Sequence, residues 1–188
     1  VDERATANRR LFAGIALDDA ARASCATAAE LLRKTGFTAK YEAPDKLHVT
    51  LAFLGYVAGL RYDAVVGALA ESVTDRSCFT VALDKLGAFP HQRKPRVVYI
   101  GAREQGREFR SLAQNVRSAY ATLGFTFKDD SVAHVTIARV KEPERPLPVV
   151  EFTPIGVRIE RVTLFESLFD KTLGTTRYEM VASAALEG

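Results

Sequence analysis

At 188 residues, 47% hydrophobic and 26% charged, the chain has the length and mix of one soluble domain with a core of its own. No run nears the roughly 18 consecutive apolar residues of a membrane span, which excludes a membrane-spanning helix. A net charge of +3 fits an anionic partner, and Cys25 and Cys78, in no CxxC or metal-ligand spacing, read as reduced thiols.

Residues 10–17 (RLFAGIAL) predict a buried strand. Asp18 or Asp19 then caps a helix to about Thr35, with Gly36 as its stop. An extended piece over 37–41 leads through Pro44-Asp45 into a strand over 47–53, with Gly55 and Gly59 bracketing its exit. Val65, Val66, Leu69 and Val73 mark a second helix over about 61–73. Residues 79–86 read as one strand, 87–96 as a polar loop and 97–100 as another strand. A third helix over 109–123 presents Phe109, Leu112, Val116, Ala119, Tyr120 and Leu123 inward, and Gly124 ends it.

After Asp129-Asp130 comes a strand over 132–140, then a proline-bearing connecting loop over 141–148. Residues 157–165 (VRIERVTLF) alternate as a single strand, and Gly174 turns a closing hairpin whose second arm is 175–181. This order predicts an α+β protein of two similar lobes. Each lobe is a mainly antiparallel sheet with helices outside, and the two meet at a central cleft within one bilobal domain over 1–188.

Two of the strands carry nearly the same pentad. His48-Val49-Thr50-Leu51-Ala52 recurs 86 residues later (134 − 48) as His134-Val135-Thr136-Ile137-Ala138. The chain has three histidines, and two of them head these copies. Ordinary residue frequencies bring such a second copy to roughly one chain in a thousand. Outside the pentads the halves are not expected to align. Strand alternation puts His48 and Thr50 on one face and Leu47, Val49, Leu51 and Phe53 on the other. His134 and Thr136 likewise share a front, with Val135 and Ile137 behind. Side by side, the strands face two imidazoles into one cleft.

Imidazole titrates near neutral pH, so one ring can take a proton while another gives one. That pairing suits in-line displacement at phosphorus, one ring serving the attacking oxygen and the other the leaving oxygen. The Thr50 and Thr136 hydroxyls can donate to the non-bridging phosphate oxygens. Neither a metal nor another cofactor is required, and neither copy has the close-spaced further ligands of a zinc site. A solitary histidine on a strand is more often a satisfied core residue, by about four to one. Two solitary core histidines have no reason to share three further neighbours.

These residues carry a resemblance. His-x-Thr-apolar, twice, at this separation resembles the 2H phosphoesterase superfamily. Arg10-Leu11-Phe12-Ala13 is similar to that family's opening strand, and residues 47–55 to its first signature. Gly87-Ala88-Phe89-Pro90 with Arg93 and 95–99 resembles its middle segment, 134–139 its second signature, and 164–167 its final strand. Within the superfamily, the bacterial and archaeal RNA 2′,3′-cyclic phosphodiesterases, also called 2′-5′ RNA ligases, are the group resembled. The resemblance implies opening of an RNA 2′,3′-cyclic phosphate to a 2′-phosphate. It makes His48 the proton donor to the departing 3′ oxygen and His134 the acceptor that activates water, with 2′-5′ ligation as the reverse reaction. The halves look too alike for the residues themselves to assign those roles. The family often has proline just before the second histidine; here Ala133 stands there, which is expected to loosen the approach to the strand.

Around the pentads, Arg139 falls by alternation on the face away from His134, unless a twist or bulge brings it round to bind phosphate. Arg93, Lys94 and Arg96, with His91, form either a solvated turn or a rim that grips the RNA backbone. Phe89 and Tyr41 are candidates to stack on a terminal base, or packing residues. Arg9 and Arg10 are either phosphate partners or a charged strand start. The expected partner is an RNA end or a small cyclic nucleotide; a binding module without chemistry is the competing class. The polar start over 1–10 reads as no secretory signal, and a cytoplasmic monomer is expected.

Overall fold

Ten strands and three helices form among the described residues, 7–128, 130–172 and 174–188 of the computed structural model. Asp129, expected to lead into the second pentad strand, and the first six residues of the polar start lie outside them. Strand β1 (Arg9–Ala16) runs into helix α1 (Asp19–Lys34). Asp18 Oδ1 caps it by accepting the Ala21 N–H at 2.7 Å, and Ala21, Cys25, Ala28 and Leu32 make its buried stripe. Strand β2 (Lys40–Tyr41) and a 3-10 turn (Pro44–Lys46) precede β3 (His48–Val57). Helix α2 (Tyr62–Ser72) buries Val65, Ala68 and Leu69. Strands β4 (Phe79–Leu83), β5 (Lys85–Phe89) and β6 (Val97–Gly101) lead to α3 (Gly106–Thr122) and β7 (His134–Arg139). Strands β8 (Ile155–Ile159), β9 (Arg161–Asp170) and β10 (Thr175–Ala185) complete the chain. No helix among the described residues is long and apolar enough to cross a membrane.

The main sheet runs β10-β9-β1-β3-β7-β6-β5, all antiparallel, with β2 added to β7. At its centre β3 and β7 pair through Val49 and Val135. Outward from that pair the order is the same on both sides: β1 flanks β3, β6 flanks β7, and each flanking strand reaches its pentad strand through a helix. This is the α+β arrangement of two similar lobes, with the halves of the main sheet joined at the β3–β7 pair. The helices exchange places, α1 packing behind β7 and α3 behind β3. Their apolar stripes, including the fully buried Phe109, Leu112 and Tyr120 of α3, therefore close the core of the opposite lobe. Phe109 and Leu112 each contribute about 1.5–3 kcal/mol by leaving water.

Two stretches expected as single strands are each two. Residues 79–86 break at Asp84, whose N–H donates to the Gly101 carbonyl at 2.9 Å and whose Oδ1 accepts the Arg103 N–H at 2.8 Å. Residues 157–165 break at Glu160, whose carbonyl accepts the Leu186 N–H at 2.8 Å. At both breaks the chain passes from the small β4–β8 sheet into the main one. Alternation continues across each break because both sheets bury a face, so a period of two does not reveal the change of sheet. Residues 87–89, expected as loop, complete β5. Gly87 is needed there because the Tyr99 ring comes within 2.4 Å of where a Cβ would sit. β3 continues past its expected end, through Gly55 at φ +71°, to Val57.

The halves also align beyond the pentads, contrary to expectation. Gly36-Phe37-Thr38-Ala39-Lys40 matches Gly124-Phe125-Thr126-Phe127-Lys128, 88 residues on (124 − 36). The two glycines follow α1 and α3 with φ of +72° and +85°. Arg145 lies over the Phe37 ring and donates to the Thr35 carbonyl at 3.2 Å; Arg61 lies over Phe125 and donates to the Leu123 carbonyl.

Among the described glycines, Gly14, beside the first pentad, leaves the least room against backbone. A Cβ on Gly14 would stand 2.5 Å from the Val49 carbonyl oxygen, with backbone on both sides and nothing flexible to yield. Gly14→Ala is expected to destabilise the fold by about 1–3 kcal/mol, seen as a lower urea midpoint. An unchanged midpoint would contradict this strand spacing.

Candidate functional site

The pentads share one burial pattern. Val49, Leu51 and Ala52 are buried, as are Val135, Ile137 and Ala138, while His48, Thr50, His134 and Thr136 are half-buried on the front. With Val49 opposite Val135, His48 stands opposite Thr136 and Thr50 opposite His134. Cross-strand neighbours lie about 5 Å apart and diagonal ones about 7–8 Å. The two imidazoles occupy a diagonal of this square and the two hydroxyls the other, all facing the same side.

Each imidazole is held in the same way. His48 Nδ1 is 2.7 Å from the Lys46 carbonyl, and His134 Nδ1 is 2.7 Å from the Val132 carbonyl. A carbonyl only accepts, so Nδ1 carries the hydrogen and donates in both rings. Nε2 is then the nitrogen that gains and loses a proton. His48 Nε2 lies 3.0 Å from Thr50 Oγ1, whose hydroxyl donates to the neutral ring.

The rings differ in what surrounds them. His48 packs against Phe12, Tyr178 and Phe165, with centroids 4.8, 5.2 and 5.8 Å away. His134 packs edge-on against Tyr99 and Phe89, at 5.2 and 5.4 Å. Burial lowers the pKa of His48 below its ordinary 6.5; the Lys46 carbonyl opposes that, and charge on His134 lowers it further. Burial likewise lowers His134, against the opposing Val132 carbonyl.

A bulge falls at the same place in both copies. Thr50 pairs with Gly14 and Ala52 with Ala13, leaving Leu51 as the extra residue; Thr136 pairs with Tyr99 and Ala138 with Val98, leaving Ile137. The bulge reverses the alternation after it. Phe53, expected behind the strand with Val49 and Leu51, therefore comes to the front, 49% exposed. Arg139 comes round with it, in the matching position of β7, and lines the cleft.

A cavity of about 360 Å³ opens beside His48. Phe12, Phe53, Tyr178, Thr50 and Thr136 wall it together with Arg10, Lys46, Arg139 and Glu42. Three cations against one carboxylate make it a place for an anion. Arg139 Nε donates to Glu42 Oε1 at 2.9 Å, Lys46 Nζ to Thr175 Oγ1 at 2.6 Å, and Arg10 Nη1 to Ser167 Oγ at 3.2 Å. His134 is not part of this wall; it borders the cleft from the Phe89–Tyr99 side.

Other candidates from the sequence fall elsewhere. Arg93 and Lys94 are exposed in the β5–β6 turn, and the Arg96 guanidinium donates to the Lys141 carbonyl; none of the three lines the cavity. Phe89 does reach the site, against His134. Tyr41 is tied down, its hydroxyl donating to the Phe37 carbonyl at 3.1 Å and Arg33 covering its ring. Arg9 is paired with Glu166 at 2.7 Å and stacked over Tyr62. Ala133 does not loosen the second strand. Its N–H donates to Gln105 Oε1 at 2.9 Å, a bond proline could not make, and its carbonyl accepts the Ala102 N–H. Lys46 was legible in principle, since it shares the parity of His48 and Thr50. Ser167, Thr176 and Tyr178 come from distant segments and left no such signal.

The family model described as the 2′-5′ RNA ligase superfamily matches residues 18–170. A protein of Thermotoga maritima named RNA 2′,3′-cyclic phosphodiesterase is 28% identical over 167 residues, covering 87% of this chain and 89% of its own. One of the same name from Archaeoglobus fulgidus is 36% identical over 70% of this chain and 73% of its own. Among solved structures, E. coli LigT complexed with 3′-AMP superposes with a TM-score of 0.76 at 29% identity, over 97% of this chain and all of that one.

The lowered histidines link the site to folding. The unfolded chain binds protons at these two rings below about pH 6.5, where the folded chain resists them. Stability is therefore expected to hold above pH 6.5 and to fall as the pH drops through it. A thermal melt series from pH 7.5 to pH 5 should show a smaller drop for His48→Asn and His134→Asn than for the parent. Equal drops in all three would remove the burial argument.

Proposed function

Since the chain belongs to the 2′-5′ RNA ligase superfamily, we propose that it hydrolyses the 2′,3′-cyclic phosphate at an RNA 3′ end to a 2′-phosphate. The observation that carries this reading is the square of two imidazoles and two hydroxyls set by the Val49–Val135 pair. The terminal nucleotide sits in the cationic cavity on the His48 side. Water attacks phosphorus from the His134 side, and His134 Nε2 takes its proton while Nδ1–H stays on the Val132 carbonyl. The P–O3′ bond breaks, and the 3′ oxygen leaves with the proton from His48 Nε2. Thr50 and Thr136 donate to the non-bridging oxygens, where charge builds in the transition state. Arg139, Lys46 and Arg10 complement the phosphate charge around them. A 5′-hydroxyl in place of water gives a 2′-5′ linkage at the same site. The E. coli relative bound to 3′-AMP supports a nucleotide in this cleft. The chain acts as one bilobal domain, each lobe supplying one histidine.

His48→Ala and His134→Ala should each lower turnover of a cyclic-phosphate-ended oligonucleotide by about 10²- to 10⁴-fold, with the parent undiminished in EDTA. Full activity in either variant would end the two-histidine mechanism.

The working form has one ring protonated and one neutral. Because burial lowers both rings, that form of the free protein is most populated below pH 6.5. The kcat/KM profile should therefore fall as the pH rises above 6.5. A profile still climbing at pH 8 would assign the proton donor elsewhere.

A further inference from the structure

A cavity larger than the one beside His48 lies elsewhere on the molecule. A groove of about 790 Å³ runs between α3 and residues 125–128, 130 and 131, against about 360 Å³ beside His48. Phe125 and Phe127 line it with Arg110, Arg117 and Lys128, and Asp130 is the one described carboxylate in its wall.

The internal repeat explains why it is open. In the first copy the chain after Phe37-Thr38 becomes β2 on the edge of β7, and the Glu42 N–H donates to the Ile137 carbonyl at 2.9 Å. The segment over 140–145 then covers Phe37 and Thr38, leaving about 20 Å³. In the second copy residues 125–128 form no strand on β3. The matching carbonyl, that of Leu51, takes its hydrogen bond from Arg117 Nε at 2.9 Å instead. A side chain serves the bulge in place of a strand, and the groove lies where the first copy is filled.

We propose that this groove holds the body of a single-stranded RNA whose 3′ end lies at the histidines; this rests on the reading above. Three cations to one carboxylate among the described lining residues suit a polyanion. Arg61 covers one face of Phe125 at 4.9 Å and Arg117 one face of Phe127 at 5.4 Å. Both rings are half-buried against the core, and a base stacking on the part of either that lines the groove meets an aromatic backed by a guanidinium. The near end of the groove is tied to the pentads. Ser131 Oγ donates to the Thr50 carbonyl at 3.4 Å, and Gln105 bonds both the Ser131 carbonyl and the Ala133 N–H. Through these bonds the near wall of the groove is continuous with the backbone that carries Thr50 and His134. Stacking and phosphate contacts read no sequence, so the groove favours a polymer over a mononucleotide without choosing bases.

The test compares a short 2′,3′-cyclic-phosphate-ended oligonucleotide with 2′,3′-cyclic AMP, in the parent and in Arg110→Glu/Lys128→Glu. Both positions are exposed, away from the histidines. The ratio of oligonucleotide to mononucleotide kcat/KM should fall by about tenfold or more in the variant. Binding of a labelled oligonucleotide with a plain 3′ phosphate should weaken and become less salt-dependent. An unchanged ratio with unchanged binding overturns the proposal and leaves the groove to another occupant, such as an acidic protein segment. If the parent turns over neither substrate, the proposed activity fails, and the binding measurement still decides the groove.

Discussion

The register of Val49 on Val135 governs the front of this sheet. Strand side chains alternate with a period of two, so a slip of one residue in either strand would bury its imidazole and turn its valine to the cleft, leaving one imidazole in front. One feature holds the register and another holds the rings. Behind the sheet, Val49 and Val135 are buried against a core to which α1 and α3 each contribute from the opposite lobe. In front, each imidazole reaches back two residues to a carbonyl, which fixes the ring before any substrate arrives. The same contact fixes the tautomer, so both reactive nitrogens are Nε2. One strand pair thus sets both the position and the proton inventory of the site.

The shared bulge adds a second consequence. A regular strand would present His48 and Thr50 and then hide the next residue pair in turn. By inserting Leu51 and Ile137, each strand buries two successive residues and returns its sixth residue to the front. The position is structurally the same in both copies, yet the occupants differ: Phe53 in one, Arg139 in the other. Arg10 lies 4.9 Å over the Phe53 ring, and Arg139 is held by Glu42. The symmetric frame therefore carries an asymmetric rim, an aromatic ring under an arginine beside one strand and an ion-paired arginine beside the other.

Much of this was legible in the sequence, for reasons that differ by element. The helices announced themselves through Asp18, through apolar spacing and through Gly36 and Gly124. The pentads announced the front and back of two strands up to the fourth residue. Beyond it alternation failed, because a bulge is set by hydrogen bonding to a neighbour that a single strand does not display. The breaks at Asp84 and Glu160 were hidden because the residues on both sides still bury a face. The Gly-Phe-Thr repeat was hidden by a change of offset, from 88 residues there to 86 at the pentads. The two extra residues fall in the approach to β3, in the stretch that carries Lys46. The aromatic wall of His48 draws on β1, β9 and β10, and only the folded sheet brings Phe12, Phe165 and Tyr178 together.

A cyclic phosphate has an attacking and a leaving oxygen, so two identical half-sites would bind it equally well in either sense. What the repeat supplies is the common geometry: two imidazoles, two hydroxyls and one back-bonded carbonyl for each ring. What the divergence supplies is direction. The cavity lies beside His48 and not His134, its cations come from β1, β7 and the turn before β3, and the strand that closes the first copy is missing from the second. Each difference arises outside the pentads, in segments free to change without disturbing the Val49–Val135 pair. Retained symmetry at the four pentad side chains and lost symmetry around them suit the directional reaction proposed for this site.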